Sequence, residues 1–201
     1  MKLSTICVEK PWGRTGLHPP FAENPDLRIG EVWYEDPGGD RAELMAKFLF
    51  TTERLSIQVH PDDRMAREAG FARGKDECWY IVDAEPDAEV GMGLTRDCTA
   101  QELREAALSG AIEQLVHWHK VKAGDFIYNP AGIIHALGAG LTVIELQQNV
   151  DCTYRLYDYG RPRELHLQEG VAASTLSATT GNVIRTIPQH GSVVLSTGPK
   201  F

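Results

Sequence analysis

The chain has 201 residues, 42% hydrophobic and 24% charged, with a formal net charge of −8 at pH 7. That is enough sequence to bury the core of one domain, or one domain with a small appendage, without a disulfide or metal staple. Acids and bases are interspersed with no basic run, which argues against nucleic acid as the main partner, and no apolar run approaches the length of a membrane span. An anionic substrate stays open, because a local cluster of Lys and Arg can oppose the global field. Cys7, Cys78, Cys98 and Cys152 show no close pairing, and no signal peptide precedes "PWG". Both features predict reduced thiols in a cytoplasm.

In chain order, short strands are expected between Gly and Pro punctuation: Gly30–Tyr34, Leu44–Phe50, Leu55–His60, Cys78–Val82, Val90–Leu94, Asp125–Asn129, Ile133–Leu137, Thr142–Gln147, Thr153–Tyr157 and Gly191–Ser196. "DPGGD", "NPAG", "LGAG" and "YGRP" supply turn signals between them. A helical turn, "DDRMAREAG", follows Pro61 and stops at Gly70. The one clear helix runs from Thr99 to about Val116, with Thr99 and Glu102 as a capping box and Leu103, Ala106, Ala107 and Leu115 as its apolar stripe. Beyond about Gly170 the chain reads as irregular until "GSVVLSTGPKF", which looks like a strand that stops abruptly. Many short strands with few helices predict an all-β sandwich or barrel. The expected division is a metal-site domain over 1–170, with a short helical insertion near 99–116, and a C-terminal strand segment over 171–201, the start of a reduced second β-unit.

Three constellations could carry chemistry. In "LSIQVHPDD" strand alternation sets Ser56, Gln58 and His60 on one face, and Pro61, with no N–H to donate, ends the ladder. Glu77 follows in "GKDECWYIVDA", and "GDFIYNPAGIIHALGAG" places His135 at the start of a returning strand. Any one of these is more often a hydrogen-bonded or solvated side chain than a ligand. Together Gln58, His60, Glu77 and His135 offer two nitrogens and two oxygens, a set that suits one divalent first-row metal, with Zn²⁺ the default. No cysteine is placed to help, so an open catalytic site is expected. The competing pair, His117 and His119 in "HWH", reads as a solvated strand face.

The third constellation is "ELQQNVDCTYRLYDYGR", where Thr153, Arg155 and Tyr157 share a strand face. An arginine facing a barrel interior is costly unless it meets an anion. Lys75, two residues before Glu77, is another nearby cation, and the pair points to a phosphorylated or carboxylated substrate.

These residues, with "KPWG" (Lys10–Gly13) and "IGEVW" (Ile29–Trp33), come in the order found in the type I phosphomannose isomerases, metal-dependent cupins that the sequence resembles as far as Arg161. The resemblance implies a cupin (jelly-roll-like) β-barrel and interconversion of mannose 6-phosphate with fructose 6-phosphate through a cis-enediol. It implies zinc on Gln58, His60, Glu77 and His135, the set also reached from spacing. It puts Lys75 and Arg155 in the substrate pocket with Asp151 near them, and Arg161 where many members have a lysine; Ser56 would line the same pocket. Asp151, Lys75 and a metal-bound water are the candidates for the base. The chain is short for the family, and some members have a histidine where this one has Gly74. The alternatives are a cupin isomerase or epimerase for another sugar phosphate, and a non-catalytic cupin that binds one.

Overall fold

In the computed structural model, which describes residues 3–22, 24–36, 42–188, 190–196 and 200, the alternating segments form two facing sheets. The larger runs in the order β1 (Ser4–Arg14), β2 (Ile29–Glu35), β3 (Leu44–Thr51), β10 (Leu141–Gln148), β5 (Glu77–Ala84), β8 (Asp125–Asn129) and β12 (Ile184–Thr186). The smaller runs β11 (Tyr154–Tyr157), β4 (Ile57–Val59), β9 (His135–Leu137), β6 (Glu89–Leu94) and β7 (Val116–Lys120). Adjacent strands pair antiparallel throughout. This is the cupin-type, all-β-dominated architecture expected from the pattern of short strands.

Alternation decides which side chains meet between the sheets. Trp12, Leu49, Trp79, Ile81, Val90, Met92, Ile127 and Val143 fill that space. Ile57 and Val59 of β4 face outward, into a second cluster beneath α2 (Ala100–Ser109), α3 (Ile112–Leu115) and α4 (Leu167–Ala173). Leu103, Ala107, Ile112, Leu115 and Ala173 are the helical side of that cluster. Each fully buried aliphatic side chain contributes about 1.5–3 kcal/mol. The register of β4 is therefore pinned, because a one-residue slip would drive Gln58 under the helices and Ile57 into the site.

The expected helix over Thr99 to Val116 is broken. Its capping box is present, with Thr99 Oγ1 accepting from the Glu102 N–H at 3.2 Å. Gly110 then takes a left-handed conformation, φ 82°, and a Cβ there would lie 3.0 Å from the Tyr157 hydroxyl. α2 stops at this glycine, α3 follows as one short turn, and Val116 opens β7. The short helix after Pro61 is α1 (Asp63–Glu68), capped by Asp62, which accepts from the Met65 N–H at 2.8 Å.

Four other differences have physical causes. β1 escaped the sequence reading because Pro11 lies inside it and its burial does not alternate cleanly; on a sheet edge, proline is tolerated. α4 begins at Leu167 in a stretch with no side-chain cap to announce it, and β12 is only three residues long. The strand expected over Gly191–Ser196 is absent: those residues pair with no ladder, and Val194 is 69% exposed. The "DPGGD" turn from Pro37 onward, and the chain end save Lys200, lie outside the described residues.

Candidate metal centre

The site is built where the polar faces of the two sheets meet. Gln58 on β4 stands in register with His135 of β9 on one side and Arg155 of β11 on the other. Glu77 opens β5 in the facing sheet, flanked in register by Gln147 and Asn129. His60 lies just past β4, where its carbonyl accepts from the Gly132 N–H at 2.9 Å. That bond ties the histidine to the "NPAG" turn that delivers His135. Gly74 passes so close to the Pro61–Asp63 backbone that a Cβ would sit 2.5 Å from the Asp62 carbonyl carbon. No side chain fits there without moving that backbone, so the histidine that the family resemblance sets against Gly74 has no room in this chain.

His60, Glu77 and His135 are each 1% exposed, and their ligand-type atoms lie within 4.8 Å of one another. His60 Nε2 is 3.2 Å from Glu77 Oε2, and His135 Nε2 is 3.3 Å from Glu77 Oε1. The Nδ1–H of His60 donates to the Cys152 carbonyl at 3.0 Å and that of His135 to the Ile133 carbonyl at 2.8 Å. With Nδ1 protonated, each neutral ring presents its Nε2 lone pair to the carboxylate. Burial, then the charge of Lys75, pushes His60 down to about 3, and burial lowers His135 as well.

Lone pairs therefore face lone pairs, and His60 Nε2 and Glu77 Oε2 are buried without a hydrogen-bond partner. Such an arrangement fits a cation. The donor set, two imidazole nitrogens and a carboxylate, is one that divalent metals take. Gln58 turns its amide nitrogen toward His135 Nε2, at 3.3 Å, while its oxygen accepts from the Ser56 hydroxyl at 3.0 Å. Turning the amide over would bring the oxygen to the ligand side.

Lys75, 6% exposed, lies 3.2 Å from Glu77 Oε2. Burial works against its charge, but Glu77 and Glu145 outweigh that and raise its pKa. Glu77 is held well below the usual carboxylate range: burial pushes it up, and the Lys75 charge beside it foremost overcomes that. Asn129 steadies the same carboxylate, donating to Oε1 at 3.0 Å.

A cavity of about 310 Å³ opens over this group, a size typical of small-molecule sites. Ser56, Gln58, Lys75, Glu77 and His135 line it, as do Asp151 and Arg155. His60 does not, and lies behind the wall. Arg161 is also outside it, bound to Asp158, Glu53 and the Arg54 carbonyl. Sequence reasoning missed Lys47, Glu145 and Arg163, which do line the cavity. Trp33, Lys47, Glu145 and Trp79 form one row across the larger sheet. Trp79 Nε1–H donates to Glu145 at 3.0 Å, and burial with repulsion from Glu77 raises the pKa of that acid. A lysine and a glutamate in the middle of otherwise apolar strands was the available signal. His117 and His119 do share a face of β7, with rings 4.0 Å apart, but they are half-buried and His119 Nε2 is fully covered.

No protein-family model matches the chain. The Bacillus subtilis protein named "Putative mannose-6-phosphate isomerase YvyI" is 42% identical over 235 aligned residues, covering 97% of this chain and 74% of that protein. The chain belongs to the mannose-6-phosphate isomerase family. The Bacillus subtilis mannose-6-phosphate isomerase ManA is 45% identical over 140 residues, 66% of this chain and 44% of that protein. The match therefore spans less than half of ManA. Among solved structures, the mannose 6-phosphate isomerase from Bacillus subtilis superposes with a TM-score of 0.80 at 37% identity, over 90% of this chain and 70% of that one.

Proposed function

We propose that this protein interconverts mannose 6-phosphate and fructose 6-phosphate, with one Zn²⁺ per chain held by His60, Glu77, His135 and, once its amide turns over, Gln58. The observation that carries the reading is the convergence of two Nε2 lone pairs on the Glu77 carboxylate at 3.2 and 3.3 Å, under a cavity lined by cations. Family membership supports the substrate. All four cysteines are free thiols, which suits a cytoplasmic protein.

Aldose–ketose isomerisation moves a proton between C1 and C2 through a cis-enediol, and negative charge develops on the neighbouring oxygen. A bound Zn²⁺ supplies Lewis-acid stabilisation of that charge. Lys75, held as an ammonium against Glu77, adds a fixed positive charge on the same side. That commitment removes Lys75 as the base. Of the candidates left, Asp151, exposed on the cavity wall, is the protein side chain placed to take the proton from one carbon and return it to the other. Arg155 faces the same cavity from the strand next to Gln58 and holds the substrate's anionic end. Trp12 and Trp79 form the apolar floor that keeps water from the reacting carbons.

The test is a coupled assay with mannose 6-phosphate, following fructose 6-phosphate with and without chelator. Turnover that stops on chelation and returns with Zn²⁺ is expected. No turnover by the folded, metal-loaded protein overturns the substrate assignment, and full turnover after complete metal removal overturns the role of the metal.

A further inference from the structure

Arg161 was the residue placed by resemblance beside the substrate, yet both of its terminal nitrogens are bound away from the cavity. Its Nη1 meets Asp158 at 3.1 Å, its Nη2 meets Glu53 at 2.8 Å and the Arg54 carbonyl at 2.9 Å, and its guanidinium lies over the Tyr159 ring. Two residues on, Arg163 lines the cavity.

We infer that Arg163, together with Arg155, forms the subsite for the phosphate of the substrate, and that buried Asp158 is the positioning residue that aims Arg163 into it. The inference rests on the sugar-phosphate reading above and deepens it.

The guanidiniums are placed for an anion. Asp158, 2% exposed, grips Arg163 through two bonds, Nε to Oδ2 at 2.5 Å and Nη2 to Oδ1 at 2.7 Å. Nη1 of Arg163 is left without a hydrogen bond among the described residues. Arg155 Nη1 donates to the Glu164 carbonyl at 2.8 Å, while its Nε is buried with no partner. No carboxylate lies within ion-pair distance of Arg155 among the described residues. Arg161 and Arg163 thus share Asp158 and Glu53, and Arg155 stands at the cavity wall outside that network. Burial, then the like charge of Arg163, lowers the pKa of Arg155, and the more distant charges of Asp158, Asp151 and Glu164 do not offset them.

The backbone fixes this arrangement before any ligand arrives. Tyr159 and Gly160 take left-handed conformations, φ 55° and 77°, and fold the chain back so that the Arg161 N–H donates to the Asp158 carbonyl at 3.0 Å. Arg163 N–H then donates to the Arg161 carbonyl at 2.8 Å. A phosphate dianion carries enough acceptors for both free edges, and planar guanidiniums match its geometry. Thr153, on the same wall, offers a hydroxyl to a remaining oxygen.

The test uses the full chain loaded with Zn²⁺ and measures steady-state kinetics on mannose 6-phosphate beside calorimetric binding of inorganic phosphate. Arg163→Gln is expected to raise KM and the phosphate Kd together, by about 10- to 100-fold, the worth of one charge-assisted hydrogen bond, with kcat within about threefold. Arg163→Lys, which keeps the charge but loses the fork, should recover part of the loss, and it serves as the test if Arg163→Gln fails to fold. Arg161→Gln should lower the melting temperature and leave the phosphate Kd where it was. A phosphate Kd unchanged in both Arg163 variants, or one that moves with Arg161 instead, overturns the inference. Phosphate binding that depends on Arg163 in a protein that does not turn over mannose 6-phosphate would support the subsite and sink the isomerase reading alone.

Discussion

His60 Nε2 and Glu77 Oε2 lie 3.2 Å apart, and neither has a proton to give the other. The ring has committed its one N–H to the Cys152 carbonyl, and Lys75, 3.2 Å from the same Oε2, keeps the carboxylate ionised. Two acceptors buried at that distance repel unless a cation lies near them. Without metal, the Lys75 ammonium beside Oε2 is what offsets part of that repulsion.

Metal should therefore stabilise the fold as well as complete the site. With free Zn²⁺ at a hundred times its Kd, the stabilisation is about 2.7 kcal/mol. Thermal melts with and without chelator should separate by several degrees in the wild type and coincide in His135→Ala. A wild-type melt that ignores both metal and chelator would remove the centre.

Lys75→Met should cost most when no metal is present. It strands the Glu77 charge in a buried site, a change worth about 3–5 kcal/mol in comparable ion pairs. Bound Zn²⁺ would take over part of the compensation, so urea midpoints should show a smaller penalty in the loaded protein. An equal penalty in both forms would mean that Lys75 and the metal do not share Glu77.

Arg155→Ala separates binding of metal from use of it. Arg155 pairs in register with Gln58 but gives no hydrogen bond to any of the four proposed ligands. The variant should hold stoichiometric Zn²⁺ by elemental analysis and lose about 10²-fold or more in turnover. Turnover at the wild-type level would take Arg155 out of the mechanism.

Asp125 gives a pH-dependent prediction away from the site. Burial pushes its carboxyl up, but bonds from Thr186 at 2.7 Å and from the Lys122 backbone and side chain at 3.0 Å outweigh that and hold its pKa below the ordinary value. A depressed folded pKa adds stability above the unfolded value, near pH 3.9, that is lost as pH falls through the folded one. Asp125→Ala should cost about 1–3 kcal/mol at pH 7. The gap from wild type in chemical melts should narrow below about pH 4; a gap that widens in acid would contradict the assignment.

What the sequence disclosed follows from which contacts are local. Alternation in "LSIQVH" identified both faces of β4, and the capping box at Thr99 and Glu102 started α2 correctly. The end of α2 was misplaced because the apolar stripe continues past Gly110, and only packing against Tyr157 reveals why the chain must turn there. Lys47 and Glu145 went unnoticed for a related reason. They are neighbours across β3 and β10, 98 residues apart, so neither Lys47 nor Glu145, though the latter opens the third constellation, shows its partner in the local sequence. Arg161 was set beside the substrate by resemblance and Arg163 was not singled out, because the local sequence does not show that the Tyr159–Gly160 turn hands the first arginine to Glu53 and the second to the cavity.

The ligands come from three separate passes of the chain, and His135 follows His60 by 75 residues. β10, which ends at Gln148, is the strand that joins β3 to β5 in the larger sheet. On the ribosome, a growing polypeptide presents Gln58, His60 and Glu77 first and His135 later, but β3 and β5 have no strand between them until β10 has emerged. A nascent chain released just before residue 148 would thus carry all four proposed ligands without the complete strand that joins β3 to β5, so the scaffold, and not the supply of ligands, is the last part of the site to arrive.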